Sequence, residues 1–277
     1  MLAGALLCGT AACTGEDEKP SGKGRTPAAQ KPVEVSPAAA IKRAAAKNEK
    51  ITSLTYSMSG KVPGDGAIEA QASMSMKPLA MQMKMKGGTG ADAGEVEIRL
   101  VGDAMYMNGG EPIEPGKTWM KFDLSALKEA GGKDPMAGLS GPAQQNPAED
   151  STALTASKDL KKVGEQTIDG VRTTHYSGTV TLDAMRKSLE NEDAETKKRR
   201  EKGFEQYEKM GVEKLTMDMW IDGSDHTKQF RTRSTTDKGA LDLTIKFLDY
   251  NKPVTVKAPP AGQTLDLAAM MKDAEGA

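Results

Sequence analysis

His175, Tyr176 and Ser177 stand in one run of alternating residues, so His175 and Ser177 fall on the same side of an extended chain. A histidine beside a serine suggests acyl transfer, but that chemistry also needs a positioned acid and an oxyanion hole. No G-x-S-x-G elbow occurs, and His175 reads as structural. Asp218, Asp222 and Asp225 could gather around calcium, yet the spacing of an EF-hand loop is missing and a turn is expected instead. His226, next to them, reads as a solvated turn residue. Gly88 to Gly94 (GTGADAG) fits a dinucleotide fingerprint only loosely, with Ala93 in the third place and no helix after it, so it reads as a hairpin loop. Two Cys and two His exclude a four-cysteine zinc site. A mixed site is opposed by position: both Cys lie within the first 13 residues and both His beyond residue 170. The reading is of a non-catalytic protein that needs no metal and no cofactor.

Cys13 is the residue whose surroundings do specify chemistry. Met1 to Ala12 (MLAGALLCGTAA) carries no charged side chain, and charges begin at Glu16. This resembles the apolar region and cleavage site of a secretory signal. A basic leader is missing, so the true start is expected upstream of Met1. Thr10-Ala11-Ala12-Cys13 resembles a bacterial lipobox, with Thr10 where Leu is usual. Cys8 fits worse, because Leu7 occupies the place of a small residue. Lipid on Cys13 would anchor the chain to the outer face of the cell membrane, each buried acyl CH₂ adding about 0.8 kcal/mol. No run of 18 apolar residues is present to span a membrane as a helix. With 38 Lys+Arg against 39 Asp+Glu, the chain lacks the basic field of a nucleic-acid binder.

After residues 1–12 as signal peptide, residues 13–36 read as lipidated Cys and flexible tether, rich in Pro, Gly and charge. Such a coil reaches roughly 25–30 Å. Residues 37–277 read as one domain, with no cysteine to form a disulfide. Ser36-Pro37 can cap a helix over Ala38 to Lys50, with Ile41, Ala44 and Ala45 as its apolar stripe. Period-two alternation then predicts strands over 54–59, 68–76, 79–85 and 96–100, extended by Met105, Met107 and Trp119 to Leu124. Ala126 to Asp159 reads as a surface excursion. Asp169-Gly170 separates two strand-like runs and is the strongest hairpin signal. Asp183 to Met210 is expected as one long helix, solvated in its charged middle, with Glu195–Arg199 and Glu205–Lys209 as supporting pairs. Further strands follow at 215–221, 229–236 and 241–247. The Pro259-Pro260 pair is expected to end the sheet, with a short helix from Leu265 to Met271.

A sheet apolar on one side must be covered, yet only about two substantial helices are expected for at least eight strands. Only four Phe and two Trp stand against 17 Met. Methionine suits surfaces that adapt to varied apolar shapes. Met74 and Met76 share one strand face, as do Met81, Met83 and Met85. They either fill a core or line a cavity. In the second case the expected lining is Tyr56, Met58, Met74, Met76, Met81, Met83, Met85, Ile98, Leu100, Met217, Met219, Leu243, Ile245 and Phe247.

The order of motifs adds a resemblance. Trp119-Met120-Lys121-Phe122-Asp123-Leu124-Ser125, Glu165 to Tyr176 (EQTIDGVRTTHY) and Asp218-Met219-Trp220-Ile221-Asp222-Gly223 follow a lipobox, a tether and an Ala-rich helix. This arrangement resembles the actinobacterial LppX/LprAFG lipoprotein family, whose fold is LolA-like. The resemblance implies an α+β fold: a strongly curved antiparallel β-sheet, a half-barrel, with helices covering the concave face. It also implies a lipid or acylated glycolipid held in that cavity and moved outward from the membrane. A membrane transporter is a further candidate partner, and the chain is expected to be a monomer. The competing reading is a ligand-free interaction or sensor module on the same fold, regulating an envelope partner.

Overall fold

The computed structural model describes residues 35–88, 94–125, 151–190 and 192–270. The signal-like segment, Cys13, most of the tether, the centre of the GTGADAG loop and most of the Ala126–Asp159 excursion lie outside these residues.

Ser36 accepts a hydrogen bond from the Ala39 backbone N–H at 3.3 Å, and Pro37 opens helix α1, Pro37–Asn48. Its buried stripe is Ala40, Ile41, Ala44 and Asn48. Ala45, expected in that stripe, sits half-buried at its edge. Alternation then produces β1 (Ser53–Val62), β2 (Gly66–Met76), β3 (Leu79–Gly87), β4 (Gly94–Val101), β5 (Ala104–Asn108) and β6 (Trp119–Asp123). A 3₁₀ segment, Ser151–Ala156, precedes β7 (Lys161–Ile168) and β8 (Val171–Thr181). Asp169 and Gly170 join these strands with φ of 47° and 82°. A two-residue turn that follows the twist of its strands demands positive φ at both positions. After helices α2 (Leu182–Ser188) and α3 (Ala194–Lys209) come β9 (Lys214–Asp222), β10 (Thr227–Thr236), β11 (Gly239–Tyr250) and β12 (Thr264–Asp266).

The strands form one sheet in the order β12-β6-β5-β4-β3-β2-β1-β11-β10-β9-β8-β7. Every pairing is antiparallel except β12 with β6. The end strands β7 and β12 do not pair with each other, so the sheet is strongly curved but unclosed. The fold class is the expected one, an α+β half-barrel with helices on its concave, apolar face.

Two expectations are corrected. The long helix over 183–210 is two helices. Leu189 caps the end of α2, and Asp193 starts α3 by accepting from the Thr196 N–H at 2.9 Å. A carboxylate at that place satisfies an otherwise orphaned helix donor, which a continuous helix could not offer it. No ion pair joins Glu205 to Lys209, and the Glu195 and Arg199 side chains lie outside the description. The Pro pair also does not end the sheet. Residues 251–263 pass from β11 to the far edge, where Lys257 accepts from Arg99 Nη1 at 3.1 Å and Gln263 from the Thr118 N–H at 3.1 Å. Leu265 then sits in β12 beside Met120, and residues 267–270 are helical.

Candidate functional site

Cross-strand register places the predicted lining residues on one face. Met74 pairs Leu54 on one side and Met81 on the other; Met81 pairs Leu100, Leu100 pairs Met105, and Met105 pairs Phe122. One row along, Ala72, Met83, Ile98, Met107 and Met120 follow each other across the same strands. In the other direction Tyr56 pairs Phe247, Met58 pairs Ile245, Ile245 pairs Phe230 and Phe230 pairs Met219. Leu243 and Met217 both face Thr232, so they share the side of Ile245 and Met219.

Tyr56, Met58, Met81, Met83, Ile98, Leu100, Met217, Met219, Leu243, Ile245 and Phe247 are buried. Met74, Met76 and Met85 are half-buried. Burial pushes the Tyr56 phenol up to about 12. The same face also carries Ala72, Met105, Met107, Phe122 and Phe230, which the predicted lining omits. Their period-two spacing was available in the sequence.

Among the described residues the cover over this face is uneven. Ile41 and Ala44 of α1, Leu154 of the 3₁₀ segment, Met185 of α2, and Phe204 and Tyr207 of α3 join one large core with β8–β11, β1 and β2, reaching Met83 on β3. A second cluster, Met81, Ile98, Leu100 and Met105, is packed by half-buried Met74, Val96, Met107, Phe122 and Leu124. Its members come from β2 to β6 and from Leu124 directly after β6; α1, α2 and α3 contribute nothing to it.

The opposite face of β7–β10 holds a polar network. His175 Nε2 lies 2.8 Å from Asp218 Oδ1, and the imidazole stacks on Trp220 at 4.3 Å with planes 7° apart. Arg233 donates to Asp218 Oδ2 at 2.5 Å, and Trp220 Nε1 donates to Gln166. Burial pushes the Asp218 carboxyl up, but hydrogen bonds from His175, Arg233 and Ser177, with the Arg233 charge, outweigh it and hold the group below its ordinary range. An ionised carboxylate only accepts, so Nε2 carries the proton and donates. Ser177 bonds to Asp218, not to His175, and His175 Nδ1 is buried without a partner. The serine and the imidazole are therefore not coupled as nucleophile and base.

The three aspartates read as a turn go to different places. Asp218 is in this network, Asp222 accepts from the Ser224 and His226 backbone N–H groups, and Asp225 accepts from Arg43 on α1 at 3.0–3.2 Å. His226 is not simply solvated: it is half-buried and stacked on Tyr250 at 5.2 Å, because the turn folds it back over the end of β11. Among the described residues no cluster of His, Cys, Asp and Glu suits a metal ion.

A cleft opens between α2 and α3. Arg186 of α2 reaches Glu201 and Glu208 of α3, each at 2.8 Å, and lies over the Phe204 ring. The cleft encloses about 490 Å³ and is lined by Arg186, Leu189, Glu190, Lys197, Lys198 and Glu201. Sequence reasoning missed it, because it exists only where the predicted long helix breaks.

The architecture that carries this site is a half-barrel with an apolar inner face and a few covering helices. The chain belongs to the family of unknown function DUF6612, which matches residues 36–232. A relative in Streptomyces griseus, an uncharacterized 31.2 kDa protein from the rplA–rplJ intergenic region, is 31% identical over 264 residues, 86% of this chain and 81% of its own. A Streptomyces coelicolor protein, SCO4650, whose name marks it as a candidate lipoprotein, is 25% identical over 179 residues, 64% of this chain and 53% of its own. The chain thus spans about half of that second relative. Among solved structures, LprF from Mycobacterium bovis matches with a TM-score of 0.50 and 13% identity, over 80% of this chain and 96% of LprF. LppX from Mycobacterium tuberculosis matches with a TM-score of 0.45 and 17% identity, over 80% of this chain and 98% of LppX. The resemblance to the LppX/LprAFG lipoproteins holds as a likeness of fold.

Proposed function

We propose that this protein is a membrane-anchored extracytoplasmic lipoprotein that holds the acyl chains of a lipid against the concave face of its sheet and performs no chemical step. The observation that carries the reading is the second apolar cluster. Methionines from β2, β3 and β5 meet there, half of them only partly buried, and among the described residues α1, α2 and α3 do not pack on them. Flexible thioether chains can part around an alkyl chain at less cost than branched residues locked in one rotamer. The lipobox-like Thr10-Ala11-Ala12-Cys13, the tether to residue 36 and the lipoprotein name of the S. coelicolor relative support the anchor.

The test is native mass spectrometry of the full chain released gently from membranes. A retained mass equal to that of a diacyl or triacyl lipid, lost on organic extraction, is the expected result. A chain that carries only its own covalent anchor, and takes up no lipid from vesicles, would count against the reading and favour a ligand-free module.

A further inference from the structure

We infer that the turn between β2 and β3 is where this protein enters a bilayer to exchange lipid; this rests on the carrier reading above. The inner face of these two strands runs outward to that turn without a break. Met74 pairs Met81 and, one step nearer the turn, Met76 pairs Leu79. Alternation keeps all four side chains on one face. Exposure rises along β3 toward the turn: Met83 is 2% exposed, Met81 5% and Leu79 51%. On β2, Met74 and Met76 are half-buried. Met74 packs against both apolar clusters, whereas Met76 and Leu79 belong to neither. The row therefore leads from the second cluster, where the carrier reading puts the acyl chains, to an apolar tip outside it.

Leu79 differs from other exposed apolar residues of the sheet. Val163, equally exposed, is the residue skipped where β7 and β8 change register. Leu248 is skipped in the same way where β1 and β11 change register. A bulge residue is left unpaired, so neither extends a row of the inner face.

The occupant that fits this tip is the hydrocarbon of a membrane. An acyl chain leaving a bilayer resists contact with water along its whole length. A row that is apolar from Leu79 through Met76 and Met74 to Met81 gives it a route that avoids that contact. The length of the tether is compatible with such an approach. Helix α1 is about 18 Å long at 1.5 Å per residue, and Thr52, shortly after it, accepts from the Met76 N–H at 2.9 Å. A tether reaching roughly 25–30 Å ahead of α1 leaves the turn within reach of the bilayer that would hold Cys13.

The experiment uses the full chain carrying Cys13→Ala, so that no covalent lipid brings it to the membrane, with vesicles of phosphatidylcholine. In Leu79→Trp, brominated acyl chains should quench the added indole emission, because the ring enters the hydrocarbon. In Val163→Trp they should not. Trp119 and Trp220, 5% and 6% exposed, are common to both variants. Leu79→Glu should slow uptake of phosphatidylcholine about tenfold, the scale of keeping half a leucine side chain in water. The amount bound at equilibrium and the denaturant midpoint should stay as in the parent chain. Val163→Glu should take up lipid at the parent rate. Absence of quenching at position 79, or equal rates in Leu79→Glu and the parent, would overturn the docking turn and leave the carrier reading standing. No uptake by the parent would overturn both. A Leu79→Glu chain that takes up lipid normally but loses a dimer formed by the parent, read by light scattering, would assign the turn to a second copy instead.

Discussion

Asp218 is a carboxylate on a sheet face with only 3% of its surface exposed. It is tolerated there because His175, Arg233 and Ser177 all bond to it. Its folded-state pKa lies below the unfolded value near 3.9, so the network stabilises fully above about pH 4 and the gain is lost as the pH falls through the folded value. Asp218→Asn should cost about 2 kcal/mol at neutral pH, the scale of hydrogen bonds to a charged group. In urea titrations the gap to wild type should narrow below about pH 4. A gap that stays constant down to about pH 3 would contradict this account. The residues that carry the family resemblance meet here: Gln166 and His175 come from the EQTIDGVRTTHY run, and Asp218 and Trp220 from DMWIDG. Trp119 of the remaining motif is stacked under Arg99 on the same outer side, 4.6 Å away. The motifs are therefore legible as a framework: their outward residues build this network, while Met120, Phe122 and Met219 of the same runs lie on the inner face.

At the scale of elements, the joints between helices and sheet are where local sequence runs out. A Cβ on Gly178 would lie 2.4 Å from Ser157 Oγ and 3.1 Å from Leu154 Cδ1. The missing side chain lets the 3₁₀ segment settle on β8, where Ser157 and Asp159 both accept from the Thr179 N–H. Gly178→Ala should push that segment away and cost about 1–3 kcal/mol by overpacking. Hydrogen exchange should rise in residues 151–159 before it rises in β9–β11; unchanged protection there would show that the contact is dispensable. The Asp169-Gly170 hairpin was legible because positive φ is a demand of the turn itself. The split between α2 and α3 was not, because the charged run satisfies helix propensity throughout; in the structure the Asp193 cap starts α3, and Leu189 and Phe204 are buried on either side of the break. The three-residue β12 is too short for any period to be read.

For the whole molecule, the two apolar clusters separate a helix-covered core from the face proposed to bind lipid. Met83 is 2% exposed within the helix-covered core, whereas Met74 is half-buried where the two clusters meet. Met83→Trp should overpack and lower the denaturant midpoint by the equivalent of about 1–3 kcal/mol. Met74→Trp should leave the midpoint within about 1 kcal/mol and suppress lipid uptake. Equal stability losses in both variants, with uptake unchanged, would mean that the second cluster is ordinary core. The anchor is tested separately: Cys13→Ala should release the protein from membranes in a carbonate wash that retains wild type. Equal retention of the two would sink the lipidation proposal.

The sequence by itself determined the longer strands, their inward faces and the first helix. Period two, the Ser36-Pro37 cap and the Asp-Gly turn are local rules that each segment obeys on its own. It also restricted the chemistry, since two Cys within the first 13 residues and two His beyond residue 170 offer little for metal or nucleophile. Only the tertiary structure decided which strands become neighbours. β1 meets β11 and β12 meets β6 across more than 100 residues, and those pairings bring Tyr56 to Phe247 and carry the C-terminal strap to the far edge. Only the fold, too, distributed the described helices unevenly over the sheet and opened the cleft at Leu189. Which apolar residues are sealed and which remain adaptable depends on the coverage of a shared face, and no single segment encodes that.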